Sequence, residues 1–285
     1  MLSCKRKYRS HRLYRFAARQ NIALASAERS HLSSNVFLLV EQAKTVIDIM
    51  SNISLLPEEK VESLNIKDYK IIQSDKLYKF TSDSVILSRF ARGGAERVCD
   101  LCSGSGIVSL HYYALNDDSV KSCTCCELQR ELARMNEKSV ALNGLEKVFT
   151  VINAPLQSFV PSEKFDLVLC NPPYEKAGGG ILPKNAHLAA CRTEATVTLE
   201  EIISCASRVL KRGASLCICH KVTRLQELVT LCDKYSLNIC RMQFVSGAGG
   251  KAYLVLVEAL KDKKSDLEVN NAIINDFRDF SGEKK

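Results

Sequence analysis

Arg97-Val98-Cys99-Asp100-Leu101-Cys102-Ser103-Gly104-Ser105-Gly106 is the stretch that decides the fold. Its first five residues form a short apolar run of the kind that makes a buried strand. The glycines that follow let the backbone turn tightly and come close to a ligand. From 106 to 115 the apolar residues take helical spacing. A strand, a glycine-bearing loop and a helix, in that order, open a parallel strand–helix–strand unit.

The alternation continues outward from this unit. Residues 121–127, 148–153, 165–170 and 214–220 read as further strands, and 129–142, 199–210 and 224–235 as helices between them. Residues 237–245 and 252–259 are strand-like with little between them, so they should pair antiparallel. Upstream, 83–90 reads as a leading helix, and 69–73 with 78–80 as a short hairpin. The expectation is an α/β fold, a doubly wound, mostly parallel sheet of seven strands with an antiparallel last hairpin.

Three features fall at the carboxyl ends of neighbouring expected strands, where open α/β sheets bind ligands. The first is the loop around Asp100, Ser103, Gly104 and Gly106. Phosphate binding at the helix start is one option, but no Lys-Ser/Thr ending follows, so this is not a nucleotide P-loop. The second is Glu127, which either takes the two hydroxyls of a ribose or caps the helix that starts near Gln129. The third is Asn171-Pro172-Pro173-Tyr174. The Asn171 side-chain oxygen and the Pro172 carbonyl can accept the two N–H bonds of one exocyclic amine. Pro173 stiffens the turn, and Tyr174 offers an aromatic face for a base. Alone, the tetrapeptide is a rigid turn. Beside the other two features it points to chemistry on a planar nitrogen.

Composition bounds the rest. The 285 residues are 46% apolar, enough for one large core, and no apolar run approaches the length of a membrane span. The formal charge of +8 is concentrated in residues 1–31, which carry +7, so the remainder is close to neutral. Residues 1–54 form a basic leader and helix, read as a transit peptide, a nucleic-acid-binding arm or a consequence of start-site choice. The last reading is favoured, because Met50 opens a plausible shorter chain. A catalytic domain is expected over 55–262 and a charged, frayed tail over 263–285. The 13 cysteines sit largely in apolar runs and read as small buried hydrophobes in a reduced protein. Cys99-x-x-Cys102 and Cys123-Thr124-Cys125-Cys126 look superficially like metal motifs, but no His pair completes a zinc set.

Taken together, the loop, Glu127 and Asn171-Pro-Pro-Tyr resemble the S-adenosylmethionine-dependent methyltransferases that modify exocyclic amines, over roughly residues 60–260. The resemblance implies that Asp100, Ser103, Gly104 and Gly106 hold the methionine part of the cofactor and Glu127 its ribose. Asn153 would meet its adenine, and Asn171 to Tyr174 would hold the target nitrogen, with Asn171 also bordering the cofactor. Cys102 stands where the family has its first glycine. Gln73 to Val85, Cys191-Arg192-Thr193-Glu194 and Gly250 to Val257 resemble segments of the bacterial tRNA(Val) adenine-N6 methyltransferases, which act beside the anticodon. The implied protein is a monomeric cytoplasmic enzyme that uses S-adenosylmethionine and no metal to methylate the N6 amine of adenine in tRNA. The alternatives are a protein-glutamine methyltransferase acting on release factors and a non-catalytic RNA-binding protein on the same fold. The long loop 175–197 reads as a mobile substrate cover or a surface insertion. Lys176, Lys184, Arg192, Lys221 and Arg224 read as phosphate contacts or solvated surface charges. Asp83 reads as structural or as an orienter of the glycine loop.

Overall fold

The computed structural model describes residues 54–77, 81–175 and 196–275. The leader, residues 78–80, the loop cations Lys176, Lys184 and Arg192, the segment 191–194 and residues 276–285 lie outside the described residues. The chain divides into two compact units, Met1–Ser54 and Leu55–Lys285. The second unit carries every strand and helix described.

Two sheets form. The small one pairs β1 (Glu59–Ser63) with β2 (Lys70–Ser74) antiparallel. The large one has eight strands: β3 (Arg97–Leu101), β4 (Ser122–Glu127), β5 (Phe149–Asn153), β6 (Phe165–Cys170), β7 (Leu210–Lys221), β8 (Leu237–Ser246), β9 (Ala252–Lys261) and β10 (Glu268–Ile274). Their order across the sheet is β10-β8-β9-β7-β6-β3-β4-β5. Neighbours from β7 to β5 run parallel, whereas β9 is antiparallel to both β7 and β8. From β3 the chain builds outward through β4 to β5, then returns to β6 on the other side of β3. That reversal opens a crevice beyond the carboxyl ends of β3 and β6.

Among the described residues, helices α1 (Ser82–Phe90), α2 (Ile107–Asn116), α3 (Arg130–Leu142), α4 (Leu199–Val209) and α5 (Leu225–Lys234) cover the sheet. The period of two along each strand sorts the core into two layers. On β6, Val168 and Cys170 pack with Leu199, Ile202 and Leu228 on one face. Leu167 and Leu169 pack with Leu87, Leu110 and Tyr112 on the other. Strands buried on both faces read as continuous apolar runs, which is why β3 and β6 stand out in the sequence. The cysteines join these layers: Cys123 and Cys125 lie in one, Cys126 in the other. All eleven described cysteines are free.

One expectation needs correction. The sheet has eight strands, because β10 adds to β8 in parallel inside the stretch read as a frayed tail. It is an edge strand with Val269 and Ile274 exposed, so burial leaves little periodic mark on it. The second strand of the expected leading hairpin, 78–80, lies outside the described residues. β2 pairs with the upstream β1, through a reversal in which Asn65 and Lys67 take φ of 54° and 47°. No glycine announces that left-handed turn. Helix α3 anchors β2: Ile72 N–H donates to Ser139 Oγ at 3.0 Å and Lys70 N–H to Asn143 Oδ1 at 2.9 Å.

Candidate active site

The loop after β3 takes three left-handed residues in five: Cys102, Gly104 and Gly106, with φ of 57°, 55° and 87°. This winding turns successive backbone N–H groups toward the crevice and starts α2. Gly106 is required twice over. Its φ disfavours a side chain, and a Cβ there would stand 2.3 Å from Asn136 Oδ1. A Cβ on Gly104 would meet open space, so only its φ requires glycine. Asn136 Nδ2 donates to Ser103 Oγ at 3.3 Å, and Gln73 Nε2 on β2 donates to Ser105 Oγ at 2.8 Å. The small sheet therefore braces the loop from outside, a role the sequence did not signal.

Two buried acids flank the loop. Asp100 accepts the Ser109 N–H at 3.1 Å through Oδ2, which caps the first turn of α2. Its Oδ1 is buried with no partner. Burial raises its pKa to about 7, and the nearby Glu127 charge adds to the rise. Glu127 accepts Gly104 N–H and Gln129 N–H, both at 2.8 Å, one on each carboxylate oxygen. Glu127 thus ties the chain before α3 and also lines the crevice. Burial raises its pKa, and these N–H donors oppose the rise.

At the end of β6, Asn171 Nδ2 donates to Ser84 Oγ at 2.9 Å. That bond fixes the orientation of the amide, so Oδ1 is its acceptor end. Oδ1 accepts the Tyr174 hydroxyl at 2.6 Å and the Cys219 thiol at 3.1 Å. The Tyr174 hydroxyl also lies 3.2 Å from Asp83 Oδ2. Its ring packs against the core layer of Leu167 and Leu169 and lies 5.4 Å from the His220 ring at a tilt of 50°. Burial is the main cause that lowers the His220 pKa to about 4, so the ring is neutral at pH 7. Tyr174 is therefore bound through its hydroxyl, where the sequence reading emphasised its ring face.

A cleft of about 870 Å³, its solvent-filled mouth included, joins these parts. Ser103, Gly104, Glu127, Asn171 and Pro173 line it. Asp100, Gly106, Asn153, Pro172 and Tyr174 do not line it and stand behind or beside it. Asn153 is spent on the backbone: its Nδ2 donates to the Glu127 and Leu128 carbonyls at 2.9 and 2.8 Å. Ser84, Leu128 and Leu156 complete the wall and were not singled out in the sequence. Two expected phosphate contacts are already engaged. Lys221 pairs with Glu175, and Arg224, buried to 8% exposure, holds Glu227 through two nitrogens.

These residues fit S-adenosylmethionine. Glu127, which lines the cleft, keeps acceptor capacity for a diol, and Leu128 and Leu156 offer apolar contact to a flat base. Among the described residues no group of three His, Cys, Asp or Glu is arranged to hold a metal, and no helix is long and apolar enough to cross a membrane.

Known proteins share this architecture. The family profile of the methyltransferase small domain matches residues 81–228, half of the chain, from α1 into α5. A "tRNA1(Val) (adenine(37)-N6)-methyltransferase" of Aeromonas hydrophila is 25% identical over 183 residues, covering 63% of this chain and 75% of its own length. A protein of the same name from Tolumonas auensis is 26% identical over 210 residues, covering 72% and 86%. Among solved structures, Methanocaldococcus jannaschii Trm5 in complex with adenosine superposes with a TM-score of 0.53 at 14% identity, covering 74% of this chain and 59% of that one. An O-methyltransferase described as predicted, from Agrobacterium tumefaciens, gives 0.51 at 19% identity, covering 67% and 86%. These likenesses concern the fold that carries the cleft. With the profile spanning β3 to β7, the glycine loop, Glu127 and Asn171-Pro-Pro-Tyr, the chain belongs to the methyltransferase small domain family and is an S-adenosylmethionine-dependent methyltransferase.

Proposed function

We propose that this enzyme methylates the N6 amine of an adenine in tRNA, beside the anticodon, in the cytoplasm. The observation that carries the reading is the held amide of Asn171. Ser84 fixes its nitrogen, so Oδ1 is the acceptor end of a residue that lines the cofactor cleft. An exocyclic amine donates two N–H bonds, and Asn171 Oδ1 with the adjoining Pro172 carbonyl forms a matched pair of acceptors. The names of the curated relatives and the segments around Gln73 to Val85 and Gly250 to Val257 support adenine in tRNA as the acceptor.

The residues divide the work. Ser103, Gly104 and Glu127 would hold the cofactor, with Asp100 behind them fixing the start of α2. When bound, the cofactor supplies an electrophilic methyl group on a sulfonium. Asn171 orients the amine and favours a more tetrahedral nitrogen, which stabilises the positive charge that develops there. Because the amine acts as a neutral nucleophile, no strong base is required.

Two measurements test the reading. Labelled cofactor incubated separately with tRNA, ribosomal RNA, DNA and release factor should mark tRNA, with the methyl group on adenine N6. A methyl group on release-factor glutamine would replace the reading. Asn171→Ala should leave cofactor affinity largely intact and cut turnover by ~10²-fold or more. Near-normal turnover would remove Asn171 from the assigned role.

A further inference from the structure

We propose that Asp83 is a positioning residue for the acceptor site. It offers the Tyr174 hydroxyl hydrogen an alternative acceptor, and by taking that hydrogen it frees Asn171 Oδ1 for the incoming amine. The inference rests on the amine-methylation reading above and adds to it how the acceptor is made available.

An amide oxygen has two lone pairs. On Asn171 both have donors, Tyr174 Oη at 2.6 Å and Cys219 Sγ at 3.1 Å. An N–H arriving at this oxygen meets an acceptor that is already filled. The Tyr174 hydroxyl has one hydrogen and a second acceptor in reach, Asp83 Oδ2 at 3.2 Å. Turning the hydroxyl about its C–O bond moves that hydrogen from the amide to the carboxylate. No covalent bond is made or broken; the two oxygens, 2.6 Å apart with the hydrogen between them, move apart as it leaves. A carboxylate is the stronger acceptor, which offsets the loss of the shorter bond to Asn171.

The carboxylate is placed for this task from across the chain. Asp83 lies in the first turn of α1, beside the Ser84 that holds the other end of Asn171. Its Oδ1 lies 3.5 Å from the Tyr253 hydroxyl on β9. Asn275, just past β10, donates through Nδ2 to that hydroxyl oxygen at 2.9 Å and to Ser82 Oγ at 2.8 Å. With its oxygen accepting from Asn275, the Tyr253 hydroxyl is left to point its hydrogen toward Asp83. Neighbouring residues 82, 83 and 84 thus connect the acceptor amide to the last two strands of the sheet.

A double-mutant cycle tests the inference. With unfractionated tRNA as substrate, Asp83→Ala should lower kcat/KM by ~10-fold or more in the wild-type background and by less than ~2-fold in Tyr174→Phe, where no hydroxyl needs redirecting. Asp83→Asn keeps an acceptor oxygen but not the charge, so its kcat/KM should lie between those of Asp83→Ala and wild type, and a value no better than Asp83→Ala would overturn the acceptor role. Cofactor affinity by calorimetry should hold in every variant, which controls for folding. Equal losses in both backgrounds would overturn the inference and leave the function reading intact. A second readout needs no substrate. In protein labelled with 3-fluorotyrosine, the Tyr174 resonance should move in Asp83→Ala, and an unmoved resonance would overturn the hydroxyl contact. A moving resonance with no methyl transfer from wild type to tRNA would overturn the tRNA reading and the inference that rests on it.

Discussion

Cys102 and Gly106 share a left-handed backbone but differ in what surrounds them. For an L-residue that conformation costs about 1–2 kcal/mol, whereas glycine adopts it freely and loses about 0.5–1 kcal/mol in chain entropy. Cys102→Gly should therefore stabilise the protein slightly, with Tm rising by roughly 1–3 °C and cofactor affinity retained. Gly106→Ala adds the same backbone cost to a contact with Asn136 Oδ1 at 2.3 Å, so it should lower Tm by roughly 5 °C or more. Thermal unfolding of the two variants should show opposite signs, and equal signs would reject the account of the loop. Asp100 makes a second prediction, on pH. Its folded pKa, about 7, lies above the ordinary value of 3.8, so the fold favours the neutral acid. Its contribution to stability is fully present below pH 4 and is lost as pH rises through 7. Asp100→Asn keeps an oxygen for the Ser109 N–H and removes the titration. In the cofactor-free protein its Tm should exceed that of wild type at pH 8, with the two curves converging at pH 4. A constant gap across that range would remove Asp100 as the cause.

At the scale of elements, α4 carries a complete capping box. Thr198 Oγ1 accepts Glu201 N–H at 3.2 Å, and Glu201 Oε2 accepts Thr198 N–H at 2.8 Å. Thr196 and Val197, just before it, line the cleft, so this cap fixes where the chain rejoins the rim. Thr198→Ala should cost about 1 kcal/mol, a Tm fall of roughly 2–4 °C, with a weaker cofactor complex. An unchanged Tm would show that tertiary packing alone holds the helix end. Such caps, and strands buried on both faces, leave local marks, and β3, β6 and the helices between them were legible in the sequence. β2 was seen, but the upstream β1 was not, because a left-handed Asn65 and Lys67 make the turn without glycine. β10 was missed because an exposed edge strand is free to be polar. The site divides in the same way. Glycines, Glu127 and Asn171 sit at strand ends and advertise themselves. The pairings of Ser84 with Asn171 and of Asp83 with Tyr253 join residues 87 and 170 positions apart, and no local pattern encodes them.

Across the whole molecule, charge and structure are partitioned differently. The unit Leu55–Lys285 contains both sheets, both core layers and the cleft, while residues 1–31 carry +7 of the +8 formal charge. Cofactor affinity depends on the cleft, so we propose that a chain starting at Met50 keeps it. Its Tm should lie within ~2 °C of the full chain and its cofactor Kd within ~2-fold, since nothing in the cleft is removed. RNA affinity depends also on counterion release, which scales with the number of cations that meet phosphate. Binding to unfractionated tRNA, measured from roughly 50 to 200 mM salt, should therefore weaken in the shorter chain. The slope of log K against log salt should become shallower by about 0.7–0.9 for each leader cation that touched phosphate. kcat at saturating tRNA should stay the same, because the acceptor amide and its partners are all in the second unit. A fall in kcat or in cofactor affinity would show that the leader takes part in the catalytic body. An unchanged salt slope would show that its nine Lys and Arg residues do not reach the RNA.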